Sequence, residues 1–380
     1  MRYCKALDGF RGVAVLLVVL HHARFFPAGW IGVQMFFVLS GYLISSILDQ
    51  QRMLPFGTYI SGFYWRRSLR IWPLYFLYSL VAAGLLFVFR DRSDAPPWLA
   101  ILTYTYNCWA VVPDMRISPF FGHFWSLCVE EQFYLIWPFL LFFIPGRIFR
   151  WLVLAIIALG PVLRLFPALV FSSHSANPDY VPKLIYNLLT SHLDAFACGA
   201  FLALTPERIR GWLATHARAV LCSAAGLFLL LGLGNCVLLK HYGLRQEWLA
   251  LGYPAHLPDL HAYVWGYTAI NLASAALVLC LARGLFSRVF ENPLLTYIGR
   301  ISYGVYVWHQ AILHLIVNAW PCNPHSLTAL VRLVPILVLP ILLASVSYFG
   351  FEKFFLNMKD KPVLFGFLSN RQAGRAVAPS

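Results

Sequence analysis

The chain has 380 residues, is 60% hydrophobic and carries a formal net charge of +14. Many of its apolar stretches are about 20 residues long, enough to cross a bilayer as a helix, so a water-soluble globular class is excluded. The Lys and Arg residues lie in short clusters between these stretches, as in cytoplasmic loops, and therefore do not indicate nucleic-acid binding. The eight cysteines form no CxxC pair and indicate neither a disulfide framework nor a metal site.

The apolar stretches predict an all-α, polytopic integral membrane protein with about ten transmembrane helices. The predicted spans, in chain order, are 10–26, 30–48, 71–89, 124–145, 149–170, 184–204, 218–238, 260–282, 294–318 and 328–350. One further apolar piece, 97–112, follows Pro96 and Pro97 and contains Asn107. We expect it to dip into the membrane or to lie at the interface rather than to cross.

The basic loops set the expected orientation. Lys and Arg are concentrated at 1–5, 52–70, 147–150, 208–218 and 283–300 and in the tail from Lys353. The positive-inside rule places these segments, and with them both termini, in the cytoplasm. The connections at 171–183 and 239–259 then face outward. The expected organisation is a membrane domain over 1–355 and a cytoplasmic tail over 356–380.

Ionisable residues in the first span are the first functional candidates, because charge inside a hydrophobic span is costly. Arg11 and His22 are eleven residues apart. On a helix this spacing brings them to within about 20° of one face, with about 16 Å between them along the axis. Asp8 precedes Arg11 by three residues and is expected to pair with it.

Five motifs resemble those of the membrane acyltransferase-3 family and occur in that family's order. They are LDGFRG at 7–12 with His22, GVQMFFVLSGY at 32–42, WRRSLRIWP at 65–73, HFWSLCVEEQFY at 123–134 and ISYGVYVWH at 301–309. The resemblance covers about residues 5–355. It implies transfer of an acyl group, usually acetyl, from cytoplasmic acyl-CoA to a hydroxyl of an envelope acceptor. Acyl-CoA would be the donor substrate, with no tightly bound cofactor and no metal.

His22 is the residue that we expect to act as the catalytic base. A hydroxyl is a poor nucleophile at neutral pH, so transfer from a thioester benefits from a base that titrates near pH 7. The simpler interpretation of a lone histidine is an interfacial helix end; Arg11 on the same face and the resemblance favour catalysis. An acyl-histidine intermediate is the alternative to direct transfer. His21 points about 100° away on a helix and is interpreted as interfacial packing.

Arg67 and Arg70 are the expected ligands of the acyl-CoA phosphates, with Arg11 as a third. They are three residues apart and so share one helical face. The planar guanidinium group binds two phosphate oxygens and stays charged. The alternative is that they mark the cytoplasmic end of a span that begins at Ile71.

Glu130 is the second expected catalytic residue. Glu130 and Glu131 are predicted near the outer end of the span 124–145, where a carboxylate is costly unless it is solvated or paired. At least one of them should therefore face a cavity. Glu130 is expected either to orient the His22 imidazole or to bind acceptor hydroxyls.

Supporting roles at the site are expected for Asp8, Ser40, Glu131, Tyr303 and His309. Ser40 precedes a glycine, and this pair is also typical of close helix packing. His309 is either a cavity-lining group or an interfacial anchor, and Tyr303 belongs to the same motif.

The sequence favours an integral O-acyltransferase of the inner (plasma) membrane. Its expected partners are acyl-CoA, a carbohydrate or lipid-linked acceptor and the lipid bilayer. A transporter of an acyl- or sugar-containing substrate is the alternative, since intramembrane charge also marks transport pathways. No repeated half is evident, which argues against transport. A structural or sensory membrane protein has no evident use for the motif charges.

Overall fold

The computed structural model of the protein describes residues 3–88, 97–112, 117–171, 180–241, 243, 248–254, 262–323 and 326–359. These ranges contain helices and connecting segments but no β-strand, so the predicted all-α class is confirmed. Residues 360–380 of the predicted tail lie outside the described residues, as do 172–179 of the predicted outer connection and most of 242–261.

The described α-helices, in chain order, are α1 (Lys5–His22), α2 (Ile31–Gln51), α3 (Phe56–Val88), α4 (Trp98–Leu102), α5 (Tyr106–Ala110), α6 (Phe124–Phe143), α7 (Gly146–Phe171), α8 (Tyr180–Asn187), α9 (Leu193–Leu204), α10 (Glu207–Thr215), α11 (Ala217–His241), α12 (Ala262–Ala282), α13 (Ser287–Phe290), α14 (Pro293–Arg300), α15 (Ser302–Ala319), α16 (Leu327–Ser347) and α17 (Lys353–Leu356). A π-helix over Tyr348–Glu352 joins α16 to α17.

The polytopic class is also confirmed. Within the described residues, seven helices are long and apolar enough to cross a membrane, and each overlaps one predicted span. They are Pro27–Gln51, Phe56–Val88, Phe124–Phe143, Gly146–Phe171, Ala217–His241, Val264–Ala282 and Leu327–Leu356. The cytoplasmic placement of both termini stays a prediction.

The three other predicted spans are not single apolar helices. The span 10–26 is α1, whose 18 residues include three charged ones near its start. The span 184–204 is divided by a 3₁₀ turn at Leu189–Ser191, and the span 294–318 is interrupted at Ile301 between α14 and α15. The piece 97–112 consists of two five-residue helices, each too short to cross a bilayer.

The glycines of α1 allow backbone contact with its neighbours. A Cβ added at Gly9 would lie 1.7 Å from the carbonyl oxygen of Phe290. A Cβ at Gly12 would lie 2.3 Å from the carbonyl oxygen of Leu295. No side chain fits at such distances, so α1 is pressed against α13 and α14 and its position in the bundle is fixed.

α3 is longer than the predicted span 71–89, because it begins 15 residues earlier and has 33 residues. The extension is held in place by Tyr59 and Phe63, which are 0% and 2% exposed. Arg67 and Arg70 are therefore residues 12 and 15 of the helix. The helix continues past both residues in each direction, so they lie inside it; where its membrane-crossing part begins, and thus whether they stand just before a span that starts at Ile71, stays a prediction.

A buried ion pair joins α7 to α9. The Arg164 guanidinium donates two hydrogen bonds of 3.0 Å to the Asp194 carboxylate, and both side chains are 0% exposed. Arg164 also donates to the carbonyl oxygen of Ser191, which the 3₁₀ turn presents, and to that of Val264. Asn271 donates to Asp194 from α12. The pair thus ties three helices together.

Arg164→Ala should lower the free energy of unfolding by about 3–5 kcal/mol, because it leaves the Asp194 charge buried without its partner. Arg210→Ala is the control, since Arg210 pairs with Glu207 at the surface, where the side chains are 52% and 87% exposed. We expect less than about 1 kcal/mol there. Unfolding of the purified variants in detergent measures both losses of unfolding free energy. Equal losses in the two variants would contradict the larger contribution that we assign to the buried pair.

Membrane orientation predicts that Cys4 is cytoplasmic and that Cys322 is external. All eight cysteines are free thiols, so single-cysteine variants are practicable. A membrane-impermeant thiol reagent applied to whole cells should label Cys322 only, with a cysteine-free variant as the control. Labelling at Cys4 but not at Cys322 would reverse the orientation.

Candidate active site

A cavity of about 190 Å³ lies between α1, α2, α3, α6 and α15. Six predicted site residues line it: Arg11, Ser40, Arg67, Arg70, Glu130 and Tyr303. The other polar residues of the lining are Ser126, Tyr134, Ser302 and Tyr306, and the apolar ones are Val33, Phe36, Phe37, Leu39, Leu43, Ile47, Ile71 and Leu127. The cavity therefore has a cationic part and an apolar wall.

Three arginines supply the cationic part. Arg11 comes from α1, and Arg67 and Arg70 come from one face of α3. Within the part of the chain that the structure describes, none of the three guanidinium groups has a carboxylate oxygen within 4.0 Å; the ion pairs there involve other arginines. Arg67 lies over the Tyr134 ring, 4.8 Å from its centroid. The positive charge of these residues thus faces the cavity rather than a protein anion.

Asp8 does not form the expected ion pair with Arg11. Its carboxylate accepts a short hydrogen bond from the Tyr3 hydroxyl, which raises the pKa of that hydroxyl, and lies 3.8 Å from Arg300 Nε. The cause is the close approach of α1 to α14: a Cβ at Gly299 would lie 1.7 Å from the Asp8 carbonyl oxygen. The contact brings Arg300 beside Asp8.

Glu130 is the one carboxylate among the described residues that line the cavity. The Ser40 and Tyr134 hydroxyls both donate short hydrogen bonds to it. Three arginines and one glutamate give the lining a formal charge of +2. Glu130 has no hydrogen bond to His22 in the described structure, so the two expected catalytic residues stand apart.

Glu131 does not line the cavity. Its Oε2 accepts a hydrogen bond of 3.3 Å from the Trp72 indole, and its Oε1 is buried without a partner. Glu131 therefore joins α6 to α3 beside the cavity.

His22 also lies outside the cavity lining, at the last residue of α1. Its Nδ1 is 3.0 Å from the carbonyl oxygen of Val18 and 3.1 Å from His309 Nε2. A carbonyl oxygen can only accept, so Nδ1 carries the proton and the neutral ring keeps its lone pair on Nε2. The imidazole is thus in the tautomer that leaves Nε2 free to act as a base.

Tyr306 stands between the cavity and the imidazoles. It lines the cavity, and its hydroxyl is 2.5 Å from Ser126 Oγ. Its carbonyl oxygen accepts a hydrogen bond of 2.5 Å from His309 Nδ1. One residue of α15 therefore separates the cationic cavity from the pair His22 and His309.

His123 joins the imidazoles and was not among the predicted site residues. Its ring centroid is 5.1 Å from that of His309, and its Nε2 donates to the carbonyl oxygen of Val307 at 3.1 Å. Its Nδ1 is buried without a partner. The sequence did contain a signal for both unassigned residues. His123 belongs to the motif that contains Glu130, and Tyr306 belongs to the motif that ends at His309.

The geometry separates two chemical functions along α1. Arg11 faces the cavity, and eleven residues further on, about 16 Å along the helix, His22 offers an unprotonated nitrogen. Cations suited to phosphate therefore lie at one level of the bundle and a base suited to activate a hydroxyl lies at another. Within the described residues no group of three or more His, Cys, Asp or Glu could hold a metal ion.

Comparison with known proteins identifies the chain's relatives. The peptidoglycan O-acetyltransferase OatA of Listeria monocytogenes is 26% identical over 385 residues, which cover 95% of this chain and 58% of that protein. A Bacillus subtilis protein named "Putative peptidoglycan O-acetyltransferase YrhL" is 28% identical over 93% of this chain and 55% of its own length. A Staphylococcus aureus protein named "Putative O-acetyltransferase" is 26% identical over 83% and 52%.

The chain thus spans about half the length of these curated relatives. No solved structure matches it. The acyltransferase-3 family model, described as an acyltransferase domain, matches residues 5–351. The match includes every predicted site residue and the whole cavity. This chain therefore belongs to the acyltransferase-3 family and is a multi-pass membrane protein.

Proposed function

We propose that the protein is an acyl-CoA-dependent O-acyltransferase of the plasma membrane. It moves an acyl group, acetyl in the simplest case, from cytoplasmic acyl-CoA to a hydroxyl of a cell-envelope carbohydrate. His22 is the general base, and Arg11, Arg67 and Arg70 bind the phosphates of the donor.

The observation that carries this proposal is the set of three arginines around one cavity, none of which has a carboxylate partner among the described residues. Unpaired charge inside a membrane bundle is costly, so such groups mark functional sites. Phosphate oxygens would complete them, because a guanidinium group binds two oxygens at once. Acyl-CoA presents several phosphates, which suits a lining with a formal charge of +2.

The rest of the cavity suits the uncharged part of such a donor. Lining residues of α2 extend from Val33 to Ile47, which is about 21 Å along the helix. Ser302 is fully buried in the lining, and its hydroxyl has no partner in the described structure. A buried hydroxyl normally has a hydrogen-bond partner, so a polar atom of the bound donor would satisfy it.

The proposed chemistry uses His22 Nε2 as the proton acceptor. As the acceptor hydroxyl oxygen attacks the thioester carbonyl carbon, its proton moves to Nε2. The carbon–sulfur bond then breaks, and the proton returns from Nε2 to the sulfur of CoA. The products are an ester and free CoA, and His22 is regenerated.

The acceptor is proposed from the relatives. Two of them carry peptidoglycan O-acetyltransferase in their names. A peptidoglycan-type sugar hydroxyl is therefore the first acceptor to test, and it would approach from the end of α1 at which His22 lies.

The experiment uses purified protein in liposomes with radiolabelled acetyl-CoA and soluble peptidoglycan fragments. We expect thioester consumption and labelled sugar. His22→Ala should lower the rate by roughly 10²–10⁴-fold, the usual contribution of base catalysis. His21→Ala is the matched control and should be mild, because His21 Nδ1 bonds instead to the Pro27 carbonyl oxygen. A transporter without chemistry would leave acetyl-CoA intact, which would contradict the proposal.

Arg70→Lys should raise the KM for acyl-CoA. Lysine keeps the positive charge, but its ammonium group cannot bind two phosphate oxygens at once as the planar guanidinium group does. Arg70→Ala should raise it further. Binding that is equal in the ground and transition states changes KM more than kcat, so turnover at saturation should stay near normal.

Arg66→Ala is the control for this titration. Arg66 lies on the same helix but donates to Gln51 at 2.9 Å and does not line the cavity. An unchanged KM in both Arg70 variants would remove Arg70 from the donor site.

A further inference from the structure

The proton positions on His309 follow from its contacts. His309 is 1% exposed, and its Nδ1 is 2.5 Å from the Tyr306 carbonyl oxygen. That oxygen accepts only, so Nδ1 carries a proton. In the described structure no carboxylate bonds to His309, and nothing there favours a second proton in a buried ring. Its Nε2 therefore presents a lone pair, and this lone pair faces His22 Nδ1 at 3.1 Å.

The His22 proton thus lies between two acceptors. One is the Val18 carbonyl oxygen, one helical turn earlier on α1, at 3.0 Å. The other is His309 Nε2, which comes from α15. The contact with Val18 fixes the ring relative to its own helix only. The contact with His309 fixes the ring relative to the helix that also supplies Ser302 and Tyr306 to the cavity lining.

This contact matters most when His22 gains a proton. Protonation at Nε2 makes the ring a cation, whose Nδ1–H then donates a charge-assisted hydrogen bond to the His309 lone pair. A carboxylate often holds this place beside a catalytic histidine. Glu130 was a candidate for it, but the described structure has Glu130 bonded to Ser40 and Tyr134 in the cavity.

We propose that His309 is the positioning residue of this enzyme: its Nε2 accepts from His22 Nδ1–H, holds the tautomer that leaves His22 Nε2 as the base, and aligns that base with the donor cavity. The inference rests on the proposed function, since it assigns a partner to the proposed base. His309 acts through His22 and does not touch the reacting atoms.

The test titrates acetyl-CoA against His309→Ala and His309→Gln in the liposome assay. His309→Ala should lower kcat by about 10²-fold, the cost of a misplaced catalytic group, while KM for acetyl-CoA stays within about twofold. The glutamine side-chain oxygen can accept from His22 Nδ1–H, so His309→Gln should recover about tenfold of that loss. His314→Ala, five residues along α15 and hydrogen-bonded to Asn318, is the control and should retain normal kcat.

The outcomes separate the two proposals. Normal kcat in His309→Ala, with His22→Ala inactive, overturns the positioning role and leaves the acyltransferase proposal standing. If both His309 variants raise KM and glutamine does not recover kcat, His309 is a merely structural residue, and this result also overturns the positioning role. A wild type that never consumes acetyl-CoA overturns the proposed function itself.

A second measurement does not depend on activity or on the folding of a His309 variant. Nitrogen NMR of histidine-labelled wild type, with His22→Ala to assign the signal, reports which ring nitrogen of His22 is protonated. The inference expects the proton on Nδ1. A proton on His22 Nε2 overturns the inference even where His309→Ala fails to fold.

Discussion

Burial of positive charge in a membrane bundle is the constraint on which the rest of this structure depends. Arg11, Arg67 and Arg70 face one cavity, and Glu130, the carboxylate in the described lining, already accepts hydrogen bonds from two hydroxyls. The cavity therefore keeps an excess of positive charge that the described protein groups do not neutralise. A polyanionic ligand would do so, and this is the reason for proposing that the phosphates of acyl-CoA bind there rather than elsewhere on a strongly basic chain.

The second requirement of the proposed chemistry is a fixed distance between that charge and the proposed base, His22. Arg11 and His22 lie on one uninterrupted helix, so about 16 Å between them is set by helix geometry. The glycines of α1 pack that helix against α13 and α14 without intervening side chains. From α15, Tyr306 contacts both the cavity and the imidazoles. The proposed donor site and the proposed base are therefore parts of one rigid unit, as proximity catalysis requires.

The sequence predicted what depends on local periodicity or on composition. It placed Arg11 and His22 on one helix face and brought Arg67 and Arg70 together, and it identified the all-α membrane class. It could not predict tertiary pairing. Asp8 pairs with Arg300 because α14 contacts α1, although Arg11 is nearer in sequence. The length of α3 was also missed, because buried aromatic residues extend the helix beyond its most apolar part. His123 and Tyr306 went unassigned, since only the folded bundle brings them to His309.

The most direct test of the central claim is a cryo-electron microscopy structure of the protein with CoA bound. The account predicts phosphate density within hydrogen-bonding distance of the Arg11, Arg67 and Arg70 guanidinium groups, with the pantetheine arm along the apolar wall and the sulfur directed toward His22 Nε2. Density for CoA at another surface, with the three arginines still unoccupied, would contradict it.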